Sequence, residues 1–244
     1  MAAIAVTLGT QGGNSQEKNL KKAAPSSGDD DLTTSQKKTF PEVDFLSPAL
    51  SARELKQAEK YDKGLPVLSQ DADVSTDLEA VIAFHWEREF EPIPVAKSDV
   101  VIIGEVVNAK ALLSANKTSV FSNFEIKVLK ILKNNKEAAA TKDESLFVER
   151  EGGIVRYPSG HKFWSRVVGQ RMPVTGAKYL FFLTNNFPIQ GVSEDLYILT
   201  AYEIKNGRVS LLDDLKNQSA GVQAYKDKDE SVFLNDVVQA IGRE

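Results

Sequence analysis

SDVVIIGEVVNAKALLSANKTSVFSNFEIKVLKILK, from Ser98 to Lys133, is the stretch that decides the fold. It opens with a β-branched run, Val100 to Val107, which is interrupted only by Gly104 and Glu105. From Val120 to Leu132 apolar and polar residues alternate with a period near two, which is typical of a strand with one buried face. These two segments predict the first two strands of a small β-barrel, with later strands added to it.

Downstream segments predict further strands and a closing helix. The run SLFVEREGGIVRYPSGHKFW indicates two strands broken at Gly152-Gly153 and followed by a turn. KYLFFLT, residues 178–184, is nearly continuously apolar, as in a strand buried on both sides. Asn206-Gly207 is a strong hairpin signal. Apolar residues at helical spacing predict a C-terminal helix from about Ser231 to Ile241, which we expect to cover an open end of the sheet.

The region before the barrel divides into a polar tail and an extension. Residues 9–39 are low in bulky apolar side chains, so we expect residues 1–39 to be a disordered tail, or to include a signal remnant in the apolar stretch Met1–Leu8. Residues 40–95 are expected to pack on the core, and a capping box of Ser51 and Glu54 predicts a helix from Ala52 to Asp62. Residues 96–244 then hold the barrel and the C-terminal helix.

Composition excludes several classes of function. The 244 residues are 42% hydrophobic and 26% charged, which is ordinary for a globular protein. The chain has no cysteine, so it has neither disulfides nor a thiolate metal site. A net charge of −4 argues against a nucleic-acid partner. No apolar run is long enough to predict a transmembrane segment. Neither standard glycine-rich nucleotide motif occurs, and we predict no cofactor.

Five strings together carry a resemblance to a known family: SDVVIIGEV, FSNFEIKVLKILK, VEREGGIVRYPSG, GAKYLFFL and YILTAYEIKNGRVSLLD. The chain resembles uncharacterised bacterial proteins, commonly predicted to be exported, whose central part is similar to the OB-fold barrel of netrin-like and tissue-inhibitor-of-metalloproteinase-like modules. The resemblance covers about Ser98 to Asp213. It implies a mostly β protein with a five- or six-stranded OB-like barrel, an N-terminal helical extension, a C-terminal helix and an extracytoplasmic location.

The resemblance implies no chemistry. Metalloproteinase inhibitors of this type act through an amino-terminal cysteine and a disulfide framework, and this chain has neither. A shared fold does not transfer a function on its own.

One carboxylate pair could support catalysis. Glu149 and Glu151 flank Arg150 and lie two positions apart, so on a strand they share a face at roughly 7 Å, within the range of glycoside hydrolysis. With His161 they define a hydrolase hypothesis for a saccharide or peptide. Charges at alternating strand positions more often form a solvated face, and we favour that interpretation. His85 and His161 are the only histidines, and neither lies in a zinc motif, so no metal site is predicted.

A basic and aromatic face is the more suggestive surface. It lies where OB barrels often bind oligosaccharides or oligonucleotides. Its predicted ligand-binding residues are Arg150, Arg156, Tyr157, His161, Trp164 and Arg166, with Lys162, Phe163 and Arg171 nearby. The alternative is that the aromatic side chains are half-buried and the basic ones only solvate the rim.

These observations favour a non-catalytic binding or interaction module whose partner is an unknown protein, peptide or saccharide. The hydrolase is the first alternative. A structural accessory protein that acts through its tail or its C-terminal helix is the second.

Overall fold

The structure is a computed structural model that describes residues 5–10, 39–62, 77–83, 91–135, 140–167, 169–187, 191–213 and 225–243. Strands dominate, and a helix lies near each end of the folded region, which confirms the predicted mostly β class. The elements, in chain order, are β1 Ala5–Thr10, β2 Glu42–Asp44, α1 Ala52–Glu59, β3 Leu78–Ala83, a 3-10 turn Val95–Lys97, β4 Val100–Leu113, β5 Val120–Asn134, β6 Ser145–Glu151, β7 Gly153–Arg156, β8 Lys162–Val167, β9 Lys178–Phe187, β10 Gly191–Lys205, β11 Arg208–Leu211, β12 Lys228–Asp229 and α2 Glu230–Ile241.

Five of these strands form a ring of pairings. β4 pairs with β5, β5 with β6, β10 with β9 and β9 with β4, all antiparallel. The ring closes where β10 runs parallel to β6, with Leu196 opposite Val148 and Tyr197 opposite Glu149. The predicted barrel of five strands is therefore present, and its closing seam is its shortest pairing.

Two strands of the barrel are buried on both faces. On β4, Val100 and Ile102 belong to the interior cluster, while Val101 and Ile103 belong to a second cluster on the outside. β9 follows the same pattern, with Phe181 inside and its neighbours outside. This confirms the two-sided burial predicted for KYLFFLT.

The second barrel strand changes phase along its length. Phe124, Ile126 and Val128 point into the interior cluster, but so does Ile131, while Leu132 packs against the outer cluster. Register shifts in the β4–β5 pairing accompany this change. A bulge adds one residue to one strand and so reverses which face each later side chain occupies. The prediction of one continuous buried face to Leu132 was therefore wrong beyond Val128.

A second sheet lies against the barrel. Its strand order is β1-β3-β8-β7-β2, and two of its pairings, β3–β8 and β2–β7, are parallel. It packs on the ends of β4 and β5 through a shared cluster of Phe45, Ala111, Leu113, Val120, Val155, Tyr157 and Phe163. β1 lies within the expected tail, whereas residues 11–38 lie outside the described residues, so the disorder expected there stays a prediction. The three-part division of the chain also stays a prediction.

The C-terminal helix covers an outer face of the barrel rather than an open end. Phe233 and Val237 of α2 are fully buried in the outer cluster, and the Phe233 ring lies 4.5 Å from the Tyr202 ring. The hairpin that leads toward it turns at Asn206 and Gly207, with φ values of 52° and 71°. Positive φ at both positions is what a two-residue hairpin turn requires, so the predicted turn is confirmed.

Helix α1 begins with the predicted capping box. Ser51 N donates to Glu54 Oε2 at 2.9 Å, and Glu54 N donates to Ser51 Oγ at 3.3 Å. The helix ends at Glu59, earlier than predicted, and a turn through Asp62 follows it. The Tyr61 ring in that turn stacks on the Phe121 ring of β5, with centroids 4.1 Å apart. α1 is thereby held on the outer face of the barrel.

Candidate functional site

A buried polar cluster joins α1 to β6 and β10. We call it the Lys60 cluster, and it consists of Gln57, Lys60, Tyr61, Glu149 and Asp195. Lys60 Nζ donates to both oxygens of Glu149, at 2.9 and 3.1 Å, and to Asp195 Oδ2 at 2.7 Å. The Tyr61 hydroxyl donates to Glu149 Oε2 at 3.1 Å, and Gln57 Nε2 donates to Asp195 Oδ1 at 3.1 Å. One ammonium group is therefore shared by two carboxylates.

The two carboxylates differ in burial, and their pKa values move in opposite directions. Burial raises the pKa of Glu149 to about 7, against the attraction of Lys60, and the nearby Asp195 raises it further. Burial also acts to raise the pKa of Asp195, but the bonds from Lys60 and Gln57 hold it below its ordinary value. The side chains are 2% and 19% exposed, respectively. Glu149 therefore takes up a proton before Asp195 does.

Glu151 lies on the same face of β6 as Glu149. The two residues oppose Phe121 and Asn123 of β5, which confirms the shared face predicted from their spacing. Burial raises the pKa of Glu151 to about 7. Within the part of the chain that the structure describes, its carboxylate has neither a hydrogen bond nor an ion pair. The preferred interpretation of these charges as a solvated face was wrong for Glu149, because helix α1 covers it.

Arg150, between them, points to the opposite side of β6. Its Nη2 donates to Asp213 Oδ1 and Oδ2 at 2.7 and 2.8 Å, and its Nη1 donates to the Arg171 carbonyl oxygen at 2.6 Å. Thr200 Oγ1 donates to the same Asp213 carboxylate at 3.0 Å. Arg150 is 1% exposed. Its guanidinium fastens the segment after β8 and the end of β11 to the barrel.

A second ion cluster lies on the hairpin of β7 and β8. We call it the Glu42 cluster, and it consists of Glu42, Arg156 and Lys162. Arg156 Nε and Nη2 both contact Glu42 Oε1, and Lys162 Nζ donates to Glu42 Oε2 at 2.6 Å. Partial burial acts to raise the pKa of Glu42, but the bonds from Lys162 and Arg156 hold it below its ordinary value. Asp44 Oδ1 lies 3.5 Å from Arg156 Nε and adds a second negative charge.

The turn of this hairpin carries His161. Its Nδ1 lies 3.4 Å from Asp77 Oδ1, and its side chain is 39% exposed. Asp77 Oδ1 also accepts a hydrogen bond from Lys162 N at 2.9 Å. His161 therefore lies next to β8 of the second sheet. Among the described residues, no contact joins it to Glu149 or Glu151. The structure does not assemble the three residues of the hydrolase hypothesis.

The remaining predicted ligand-binding residues lie deeper. Tyr157 is 3% exposed and stacks on Phe45 with ring centroids 5.2 Å apart. Trp164 packs, partly buried, against the interior cluster. Arg166 is 4% exposed and lies opposite Val81 in the parallel pairing of β8 with β3. Of the six residues predicted to bind a ligand, Arg156 and His161 are therefore the most exposed, and whether the set binds anything stays a prediction.

Sequence reasoning missed Lys60, Tyr61 and Asp195. Lys60 lies 89 residues from Glu149 and 135 from Asp195, so no spacing in the sequence connects them. A signal did exist, since a Lys-Tyr pair directly after a capped helix places a cation and an aromatic ring at the same helix end.

The described residues contain neither a candidate metal site nor a candidate membrane-spanning helix. In the ranges given above, no group of three or more histidine, aspartate and glutamate side chains is placed to hold a metal ion. Among the same residues, no helix is long and apolar enough to cross a membrane.

Comparison with known proteins adds no family. The chain gave no significant match to a protein-family model, to a curated protein or to a solved structure.

Proposed function

We propose that this chain is a non-catalytic binding or interaction module built on an OB-like barrel, and that it works outside the cytoplasm. The barrel type is supported by the ring of five pairings with one parallel seam, which is compatible with the small Greek-key barrel of OB proteins. The location is supported by the resemblance of the five strings quoted above.

The observation that carries the binding proposal is the preordered Glu42 cluster. Arg156 and Lys162 are 52% and 37% exposed, yet one carboxylate holds both side chains in place. Ordering a long side chain in advance lowers the entropy that a ligand must overcome when it binds. An exposed and ordered pair of cations on a hairpin is thus suited to a polar ligand.

The ligand class follows from the charge balance of this surface. Two cations, Arg156 and Lys162, face the carboxylates of Glu42 and Asp44, and the carboxylate of Asp77 lies beside His161 on the same hairpin. A surface of mixed sign favours a ligand that both donates and accepts hydrogen bonds, such as a saccharide or a peptide. A polyanion such as nucleic acid would be repelled by these carboxylates and by the net charge of −4.

One observation favours the hydrolase alternative. Glu149 and Glu151 have pKa values raised to about 7, which is the range of a general acid at neutral pH. Against it, Glu149 is 2% exposed beneath α1 and is bound by Lys60 and Tyr61, so a substrate cannot reach it while α1 is in place. We therefore keep the binding module as the proposal.

The test of the proposal is a binding screen of the full chain against arrays of oligosaccharides and of peptides. For a hit, Arg156→Ala together with His161→Ala is expected to weaken binding by at least about 10-fold, because each removes an exposed, ordered donor. Lys127→Ala, an exposed lysine on β5, is the matched control and should bind like the wild type. A hit whose affinity is unchanged in the double variant would remove this surface from the proposal.

Trp164→Ala is a poor probe of the same site, because Trp164 packs against the barrel interior and its loss would disturb the fold. The location is tested separately, by fractionation of the native host and amino-terminal sequencing. A processed terminus in the extracytoplasmic fraction supports export, and an unprocessed chain in the cytoplasm contradicts it.

A further inference from the structure

Helix α1 is attached to the barrel at both ends, since Glu54 of its first turn accepts a hydrogen bond from Lys110 Nζ of β4 at 2.6 Å and a larger group of contacts follows the helix. The turn after the helix supplies Lys60 to the two carboxylates and the Tyr61 ring to Phe121. Next to it, the backbone N of Asn116 donates to Asp62 Oδ1 at 2.8 Å, and Ser119 Oγ donates to the Tyr61 carbonyl oxygen at 2.7 Å. Whatever weakens the bonds of Lys60 therefore weakens the attachment of α1.

Beneath α1, the described residues place one ammonium group, that of Lys60, against several carboxyl groups. Lys60 faces both Glu149 and Asp195 at hydrogen-bond distance. Arg53 Nη2 lies 4.0 Å from Asp195 Oδ1, but its side chain is 61% exposed, so water screens most of its charge. Glu151 adds a third carboxyl group on the same face of β6.

Among the described residues, the groups around Glu149 come from α1 and its following turn and from three strands. They are Arg53, Gln57, Lys60 and Tyr61 from α1 and its following turn, Asn123 from β5, Glu151 from β6, and Asp195 and Tyr197 from β10. A proton on Glu149 removes one of the negative charges buried at this site. The raised pKa of Glu149 indicates that the cost of burying its ionised form exceeds the attraction of Lys60.

We propose that Lys60, Glu149 and Asp195 form a pH-sensitive latch, which holds α1 closed on the barrel in mildly acidic solution and releases it as the pH rises through neutrality. Release uncovers the apolar surface beneath α1, which consists of Leu112, Phe121 and Tyr197 together with Ala58 of the helix itself.

The direction follows from the proton that the closed state holds. In the closed state the pKa of Glu149 is about 7, whereas a Glu149 exposed by opening returns to its ordinary value of 4.5. The closed state is thus favoured fully below about pH 4.5, and the advantage is lost as the pH rises to 7 and above. A difference of this size makes the open fraction rise on the order of 100-fold between pH 5 and pH 8.

The absence of cysteine from the chain allows a direct measurement of opening. Ala58 is fully buried on the face of α1 that packs on the barrel, and its neighbour Glu59 is exposed. The labelling rate of Ala58→Cys by a thiol reagent, divided by the rate of Glu59→Cys at the same pH, reports the open fraction and cancels the ionisation of the thiol. We expect this ratio to rise on the order of 100-fold between pH 5 and pH 8.

Three variants in the Ala58→Cys background identify the group responsible. Glu149→Gln keeps an oxygen for Lys60 and Tyr61 but cannot ionise, so the pH response should fall by about 10-fold or more. Adding Glu151→Gln to Glu149→Gln should remove the remaining pH dependence of the labelling ratio. Glu125→Gln, on the outer face of β5, is the matched control and should respond like the wild type.

A cysteine in α2, Val237→Cys, separates local opening from global unfolding. Val237 is fully buried in the other helix, and its labelling should not follow the same pH response. A ratio at Ala58 that does not change with pH, or an equal rise at Val237, would overturn the latch. If Ala58→Cys does not fold, exchange of the Asn116 amide in the unmodified chain gives the same readout. That amide donates to Asp62 Oδ1 across the contact between the barrel and the turn after α1, and its exchange must accelerate beyond the intrinsic pH effect.

Discussion

The two ion clusters of this molecule are mirror images in charge. In the Lys60 cluster one cation serves two carboxylates, and in the Glu42 cluster one carboxylate serves two cations. The first is buried beneath α1, while the second lies on an exposed hairpin. The pKa of Glu149, the most buried carboxyl group of the Lys60 cluster, is raised. The pKa of Glu42, the central carboxyl group of the Glu42 cluster, is lowered. Similar bonds thus have opposite consequences, because Glu149 is 2% exposed and shares its one cation with Asp195, whereas Glu42 is 22% exposed and is bonded by two cations.

Replacing the shared cation should break the buried cluster and have the largest effect. Lys60→Met removes the ammonium group and leaves Glu149 and Asp195 facing each other, so we expect a loss of about 3 kcal/mol in the free energy of unfolding. Urea denaturation at pH 8 measures it. The loss should be smaller at pH 5, where Glu149 is protonated in the folded state. A loss below about 1 kcal/mol at pH 8 would contradict the role given to Lys60.

The pH dependence of stability should sharpen the comparison next. The folded pKa of Glu149 is raised, so its contribution is present below about pH 4.5 and is lost as the pH rises through 7. Between pH 5 and pH 8 the wild type should lose about 2 kcal/mol more than Glu149→Gln does. Paired urea titrations of the two proteins across this range provide the measurement, and parallel curves would show that Glu149 titrates normally.

The amino-terminal cap at Ser51 stabilises α1 in addition to the Lys60 cluster, so the two contributions to the same helix can be compared. Ser51→Ala removes the side-chain acceptor for Glu54 N and should cost about 1 kcal/mol. Ser51→Asp, which retains an acceptor, is the matched control and should stay near the wild type. The urea midpoint at a single pH measures the difference. Equal stability of Ser51→Ala and Ser51→Asp would show that the side-chain acceptor at position 51 does not stabilise α1.

The exposed cluster should show the smallest effect. Lys162→Met makes the same chemical change as Lys60→Met, but its side chain is 37% exposed. We expect the free energy of unfolding to change by less than about 1 kcal/mol, and the change to shrink further in high salt. Urea denaturation with and without added salt tests this. A loss as large as that of Lys60→Met would show that burial is not what separates the two clusters.

Local signals in the sequence predicted most of the barrel. The alternation after Val120, the turn at Asn206-Gly207 and the capping box at Ser51 each depend on neighbours within a few residues, and each appears in the structure. The end of the buried face at Val128 was missed because a bulge is a property of the pairing with β4 rather than of β5 alone.

The second sheet and the Lys60 cluster could not be predicted, for a related reason. β2 and β3 pair with β7 and β8 across long separations, and parallel pairing leaves no turn between partners to reveal it. Glu149 looked like a surface charge because its partner lies 89 residues earlier in the chain. The exposure of Arg156 and His161 was easier to predict, because both residues lie beside a turn that the sequence itself shows.

The parallel seam between β6 and β10 also sets how this protein must fold. The antiparallel pairings of β4 with β5 and of β5 with β6 join strands that are adjacent in the chain, and they can form early. The seam joins Val148 and Glu149 to Leu196 and Tyr197 through two residue pairs only. In the sequence, β7, β8 and β9 separate the two strands that it joins. Contacts that close such long loops are made late, and they slow folding. Because Glu149 and Asp195 flank this seam, Lys60 can bridge them only after the barrel has closed, which makes the docking of α1 a late step of folding.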